Sequence, residues 1–204
     1  MKIDKENIIL LHPGKTGGTS IEHTFRVDYL NISHLNSRQG NRDIMFGLDP
    51  EYKIYLQHAD IRFYNLLNIP LYNYKVYTTV RRPYERILSC YYYNGKSTKY
   101  SFDEFVENHL EGNLNNNLEK PYAVSHFAPQ WLFAKWEDYM VDAIIHQENL
   151  NEEALKLGIK VKFHYSKTTA LLDNVDRMSA YSQKTKDIVY NLYKEDFKLF
   201  GYSK

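Results

Sequence analysis

Six consecutive residues, Lys15, Thr16, Gly17, Gly18, Thr19 and Ser20, place a cation, three hydroxyls and two positions without side chains in one short run. That set suits an anion. The ammonium supplies charge, the hydroxyls donate hydrogen bonds, and the glycines let backbone N–H groups approach closely. The elements that must position them are legible on either side. Ile8-Ile9-Leu10-Leu11 reads as a short buried strand, His12 to Gly18 as turn, and Thr19-Ser20-Ile21-Glu22-His23-Thr24-Phe25 as a helix start. A strand that delivers a glycine loop to a helix N-terminus aims unpaired N–H groups and the positive dipole end at the loop. A phosphate or sulfate cradle is expected.

Spacing decides which cradle. A nucleotide-triphosphatase loop needs Gly-x-x-x-x-Gly-Lys-Ser/Thr. Gly14-Lys15-Thr16 supplies its end, but the position of the first glycine is Ile9, inside the strand. Here the lysine precedes Gly17-Gly18 and the hydroxyls of Thr19 and Ser20. This arrangement resembles the 5′-phosphosulfate loop of sulfotransferases, usually Pro-Lys-Thr-Gly-Gly-Thr-Ser, with Gly14 where the family commonly has proline.

Two further strand ends carry candidate residues. Lys53-Ile54-Tyr55-Leu56-Gln57 has strand character and runs into His58. In an open α/β sheet ligands gather at the carboxyl ends of strands, so His58 stands where a catalytic group is expected, although a histidine there also serves as an ordinary cap. Tyr74 to Val80 is the clearest strand, β-branched and aromatic almost throughout, and it empties into Arg81-Arg82-Pro83 and a helix. Ile87, Leu88 and Tyr91 share one face of that helix, expected toward the sheet, while Arg82, Arg86 and Ser89 share another. An isolated Arg-Arg-Pro reads equally as a solvated helix start. Arg81 followed eight residues on by Ser89, however, is similar to the 3′-phosphate motif of the same family.

The remaining segments frame these. Asn31 to Pro50 reads as irregular, Phe102 to Leu110 as an amphipathic helix, and Asn113 to Asn117 as the most loop-like stretch. His126, Pro129 and Gln130 resemble the His-x-x-Pro-Gln segment of carbohydrate-type sulfotransferases, which implies a part in shaping the acceptor or nucleotide pocket. Tyr139 to His146 is expected as a strand, and Gln147 to Leu155 as a helix start capped by Asn149 or Asn151. Lys167 lies where the family has a loop over the nucleotide, and Asp187 to Tyr202 resembles its closing helix.

The 204 residues are most simply one domain, 1–204, large enough for a substantial core. Lys+Arg of 26 against Asp+Glu of 25 leaves a formal charge of +1, so bulk attraction to nucleic acid or membrane is not expected and anion recognition must be local. One cysteine, Cys90, rules out an internal disulfide and fits a reducing compartment. The polar first residues and the short apolar run after them suit neither a signal peptide nor an anchor, which predicts a soluble, cytoplasmic protein, unlike the membrane-anchored Golgi enzymes of the branch. No His/Cys/Asp cluster has metal-ligand spacing, so no metal is expected. The 19 tyrosines suit a sugar platform but equally the edge of a core.

The resemblance implies a three-layer α/β sandwich around a mainly parallel sheet, with a P-loop-like sulfotransferase fold. It implies transfer of the sulfuryl group of 3′-phosphoadenosine 5′-phosphosulfate (PAPS) to an acceptor hydroxyl, with release of adenosine 3′,5′-bisphosphate. Thr16 to Ser20 would hold the 5′-phosphosulfate, Arg81 and Ser89 the 3′-phosphate, and Lys15 the bridging oxygen. His58 is the candidate base, with His12 and His126 as competitors; His126 and Gln130 are candidates for substrate binding, and their resemblance implies a carbohydrate hydroxyl as acceptor, with a small alcohol or a peptide tyrosine as the alternatives. Two other readings stand beside this one: a nucleotide kinase with an aberrant loop, and a non-catalytic module that binds nucleotide or sulfated glycan.

Overall fold

The computed structural model describes residues 2–3, 7–30, 48–49, 54–119, 126–162 and 176–204. Strand β1 (Lys2–Ile3) lies antiparallel to β2 (Ile8–Leu11), which leads through the glycine loop into helix α1 (Gly18–Leu30). A ribbon of β3 (Leu48–Asp49) and β4 (Ile54–Tyr55) precedes α2 (Ile61–Leu66) and β5 (Lys75–Val80). Three helices follow: α3 (Pro83–Tyr93), α4 (Phe102–Asn108) and α5 (Leu110–Glu119). A 3-10 turn at Gln130–Phe133 and the hairpin β6 (Lys135–Trp136) and β7 (Tyr139–Met140) lead to β8 (Ala143–His146). The last elements are α6 (Leu150–Lys156), α7 (Gln183–Leu192) and α8 (Lys194–Leu199).

The main sheet has the order β1-β2-β5-β8, and only β1 is antiparallel. Leu11 pairs with Thr78, and Val80 with His146, so the carboxyl ends of the three parallel strands share one edge. Alternation along each strand splits the core in two, as a period of two requires. Ile9, Leu11, Val76 and Val80 pack on one face against Leu56, Tyr64 and Phe133. Leu10 and Ile145 pack on the other, against Ile21 and Phe25 of α1 and Leu150 and Ala154 of α6. With both faces covered, the architecture is the expected three-layer α/β sandwich around a mainly parallel sheet.

Several local expectations change. Ile87, Leu88 and Tyr91 do share a face of α3, but they pack with Phe105, Val106, Val189 and Phe197 in a helical cluster that contains no strand residue. Periodicity shows which residues share a face, not what covers it. The loop-like Asn113 to Asn117 lies inside α5, where buried Leu110 and Leu114 are one turn apart. Burial of two leucines, roughly 3 to 6 kcal/mol, offsets the poor helix propensity of one glycine and several asparagines, about 3 kcal/mol. The strand before His58 is only β4, paired with β3 outside the main sheet. The strand expected over 139–146 divides into β7 and β8, and the closing helix divides at Tyr193 into α7 and α8. Apart from Leu48–Asp49, the irregular 31–50 segment lies outside the described residues, as does Lys167.

Candidate active site

The loop from His12 to Gly17 occupies the carboxyl edge of the sheet, between the ends of β2, β5 and β8. Its backbone turns through two left-handed residues, Lys15 at φ 69° and Gly17 at φ 82°. Only Gly17 takes that conformation without strain; Lys15 is a non-glycine exception of the kind found at functional sites. Two other glycines are required for space. A Cβ on Gly14 would run into the ring of His126, and one on Gly18 into the ring of His12. Thr16 is fully buried, and its hydroxyl donates to Pro13 O at 2.7 Å while lying 2.7 Å from Thr79 Oγ1 at the end of β5. Its side chain therefore braces the loop from within. Thr19 is exposed at the start of α1, and Ser20 is mostly buried one residue further in.

Around this loop the structure gathers all three candidate histidines. The His58 ring lies 4.5 Å from that of His12 and 5.0 Å from that of His126, both edge-on. His58 Nδ1 is 2.9 Å from the carbonyl oxygen of His12. A carbonyl only accepts, so Nδ1 carries the proton and Nε2 keeps the lone pair. Burial, reinforced by the His12 and His126 rings, holds the His58 pKa well below the ordinary imidazole value. His126 is pushed down to about 4 by burial first, then by Lys15 and Arg86. Both rings are thus neutral bases at physiological pH. His12 Nδ1 lies 2.9 Å from Glu22 Oε1 of α1, and Glu22 Oε2 accepts from Gln57, the residue before His58.

The Lys15 ammonium sits 4.1 Å from the centre of the Tyr93 ring, which in turn packs 4.8 Å from His126. An aromatic face attracts a cation without neutralising it, which leaves the charge free for an anion. Burial pulls the Lys15 pKa below the ordinary lysine value; the Cys90 thiol opposes this and Arg81 adds to it.

Arg81 stands at the end of β5, and the residue is only 7% exposed. Nη1 lies 3.5 Å from Lys15 O, so the two phosphate-type motifs abut, and Nη2 donates to Glu85 Oε2 at 3.2 Å. Its backbone is clamped by Gln130, which accepts from Arg81 N at 2.8 Å and donates to Arg81 O at 2.9 Å. Gln130 is fully buried, and Asp196 of α8 takes its N–H and that of Trp131. The Gln130 side chain, expected to help shape the acceptor or nucleotide pocket, is directed from the 3-10 turn after Pro129 to the Arg81 backbone. Ser89 is buried on α3.

Three contributors had no motif to announce them. Arg86, completely buried, donates to Gly14 O at 3.1 Å, His126 O at 2.8 Å and Ala128 O at 2.7 Å, joining the loop to the His126 segment. The sequence places it on the face of α3 shared with Arg82 and Ser89, and the tertiary cover of α3 buries that position completely. Arg177 donates to Glu85 Oε2 at 2.9 Å, so it and Arg81 converge on one carboxylate oxygen. Glu148 receives Arg82 N at the start of α3 and the hydroxyl of Tyr202. Of these, only Arg86 stood on a face that the sequence had singled out.

A small multiply charged anion fits what is present. Amides of the α1 N-terminus, the Lys15 ammonium and Arg81 converge, and Arg81 Nε is buried with no hydrogen-bond partner among the described residues. Among the described residues no helix is long and apolar enough to cross a membrane, and no group of three or more His, Cys, Asp or Glu is placed to hold a metal. Comparison with curated proteins and with solved structures finds no match. A family model described as "Sulfotransferase family" matches residues 2–203, nearly the whole chain, and the chain therefore belongs to the sulfotransferases and is an enzyme of sulfuryl transfer.

Proposed function

We propose that this chain, acting as a single domain, takes the sulfuryl group from PAPS and passes it to a carbohydrate hydroxyl. The observation that carries the reading is the meeting of Lys15 with Arg81 and, through the His12 carbonyl, with His58 at one sheet edge. When bound, PAPS supplies the sulfuryl group and a bisphosphate leaving group. The amides of Thr16 to Ser20 hold the 5′ end, and Arg81 with Ser89 the 3′-phosphate, with Arg177 beside it. Lys167 belongs to the same proposal as a further phosphate contact.

His58 Nε2 takes the proton of the acceptor hydroxyl as that oxygen forms its bond to sulfur. The electron pair of the broken S–O bond leaves on the 5′-phosphate, where Lys15 offsets the growing charge. Burial that keeps His58 neutral also makes its cation costly, and the anionic donor beside it supplies the compensation. Tyr93, half-exposed between Lys15 and His126, offers the acceptor a ring to lie against. The carbohydrate assignment is supported by this aromatic platform and by the His126–Gln130 resemblance, in which Gln130 acts through Arg81.

The experiment is transfer of radiolabelled sulfur from PAPS to a panel of saccharides, small alcohols and tyrosine peptides. Saccharide labelling with equal release of bisphosphate is expected, falling on the order of a hundredfold or more in His58→Ala and in Lys15→Ala. Labelling of peptide alone would overturn the acceptor, and unchanged turnover in both variants would overturn the mechanism.

A further inference from the structure

Away from the glycine loop, a cavity of about 500 Å³ opens between the β6–β7 hairpin, the Gln130–Phe133 turn and α8, lined by Trp131, Lys135, Trp136, Glu137, Glu195 and Lys198. Its volume is that of a small-molecule site. The two indoles, the only tryptophans in the chain, lie within 13° of parallel with centroids 6.3 Å apart. The backbone N–H of Trp131 donates to the buried Asp196 at 2.8 Å, and the Arg62 guanidinium lies 5.8 Å from the centre of the Trp136 ring. Each packs on the sheet cluster while keeping part of its surface uncovered.

The rim is charged yet balanced. Lys135, Lys198, Glu137 and Glu195 are exposed, and none forms an ion pair among the described residues. Glu137 also holds a left-handed backbone, φ 51°, in the tight turn between β6 and β7, where glycine or asparagine would be relaxed. Retaining a glutamate at such a position is a strain that a binding role would explain.

These features select a ligand class. Flat indole faces take the C–H face of a ring, and the rim offers acceptors and donors to hydroxyl groups. Two ammonium groups and two carboxylates balance, so the rim gives neither an anionic nor a cationic ligand a net attraction. We infer that this cavity is a saccharide-binding subsite for an uncharged pyranose unit of an oligosaccharide. It is lined by none of the residues of the transfer site, and binding there does not depend on sulfuryl transfer or on the acceptor proposed above.

Because both tryptophans line the cavity, intrinsic indole fluorescence reads it directly. The test is titration of the whole chain, without nucleotide, with uncharged gluco-, manno-, galacto- and N-acetylhexosamine oligosaccharides, beside a heparin oligosaccharide. A saturable change with at least one uncharged oligosaccharide is expected, weakened about tenfold or more in Trp136→Ala. Glu195→Gln, exposed and unpaired, should weaken it with the circular dichroism of the wild type, so that loss of folding is not mistaken for loss of binding. No saturable change with any uncharged oligosaccharide, stronger binding of heparin, or binding untouched in both variants would overturn the subsite. Failure here leaves bisphosphate binding at Arg81 unaffected, so the two readings fail separately.

Discussion

The His58 ring is tied to the backbone of His12: Nδ1 lies 2.9 Å from the carbonyl oxygen of the residue that follows β2. The same strand end delivers Lys15 three residues later. The candidate base and the candidate electrostatic catalyst are therefore referenced to one rigid element, and the tautomer of the base is chosen by a backbone atom that no side-chain substitution removes.

The pH dependence follows from the two shifted groups. His58 works as the neutral ring, and its lowered pKa means that it becomes protonated only well below the ordinary imidazole range, near pH 6.5 for a free histidine. Lys15 works as the cation, and its lowered pKa means that it loses its charge earlier than a free lysine as pH rises. The profile of kcat/KM, which reports the free enzyme, should have both limbs displaced toward acid. An acidic limb at or above the ordinary histidine value would show that His58 is not the titrating base.

The glycines at positions 18 and 95 separate space from backbone strain. Gly18→Ala forces a methyl into the His12 ring, so bisphosphate affinity and turnover should fall together. Gly95 is left-handed with nothing near its Cβ position. Gly95→Ala should cost only the backbone penalty, about 1–2 kcal/mol, with full activity. Thermal unfolding and steady-state kinetics on the two variants check the contrast.

Arg86 is the principal brace of the site. Arg86→Ala removes the donor from three backbone carbonyls, of Gly14, His126 and Ala128. A loss of about 3 kcal/mol or more is expected, a fall in Tm of roughly 10 °C. Denaturant titration measures it, and a change under about 1 kcal/mol would show that the loop does not depend on this residue.

The parts of the site visible in the sequence are those whose chemistry is local. Lys15 to Ser20 and Arg81 stand at strand ends, and strand, turn and helix signals of short range place them. What escaped depends on contacts distant in sequence. Arg86 is fully buried because α3 is covered on several sides, α5 is helical because Leu110 and Leu114 find a core, and Gln130 clamps the Arg81 backbone because Asp196 holds it from 66 residues away. His58 reached the site without the long strand expected to carry it, through its bond to His12.

The most direct measurement is calorimetric titration with adenosine 3′,5′-bisphosphate, beside ATP with magnesium, on the wild type and Arg81→Ala. The expected result is magnesium-independent preference for the bisphosphate, weakened at least about tenfold when the guanidinium that abuts Lys15 O is removed. Preference for ATP with magnesium, or equal bisphosphate affinity in the variant, would contradict the assignment of the loop and of Arg81 as one donor site.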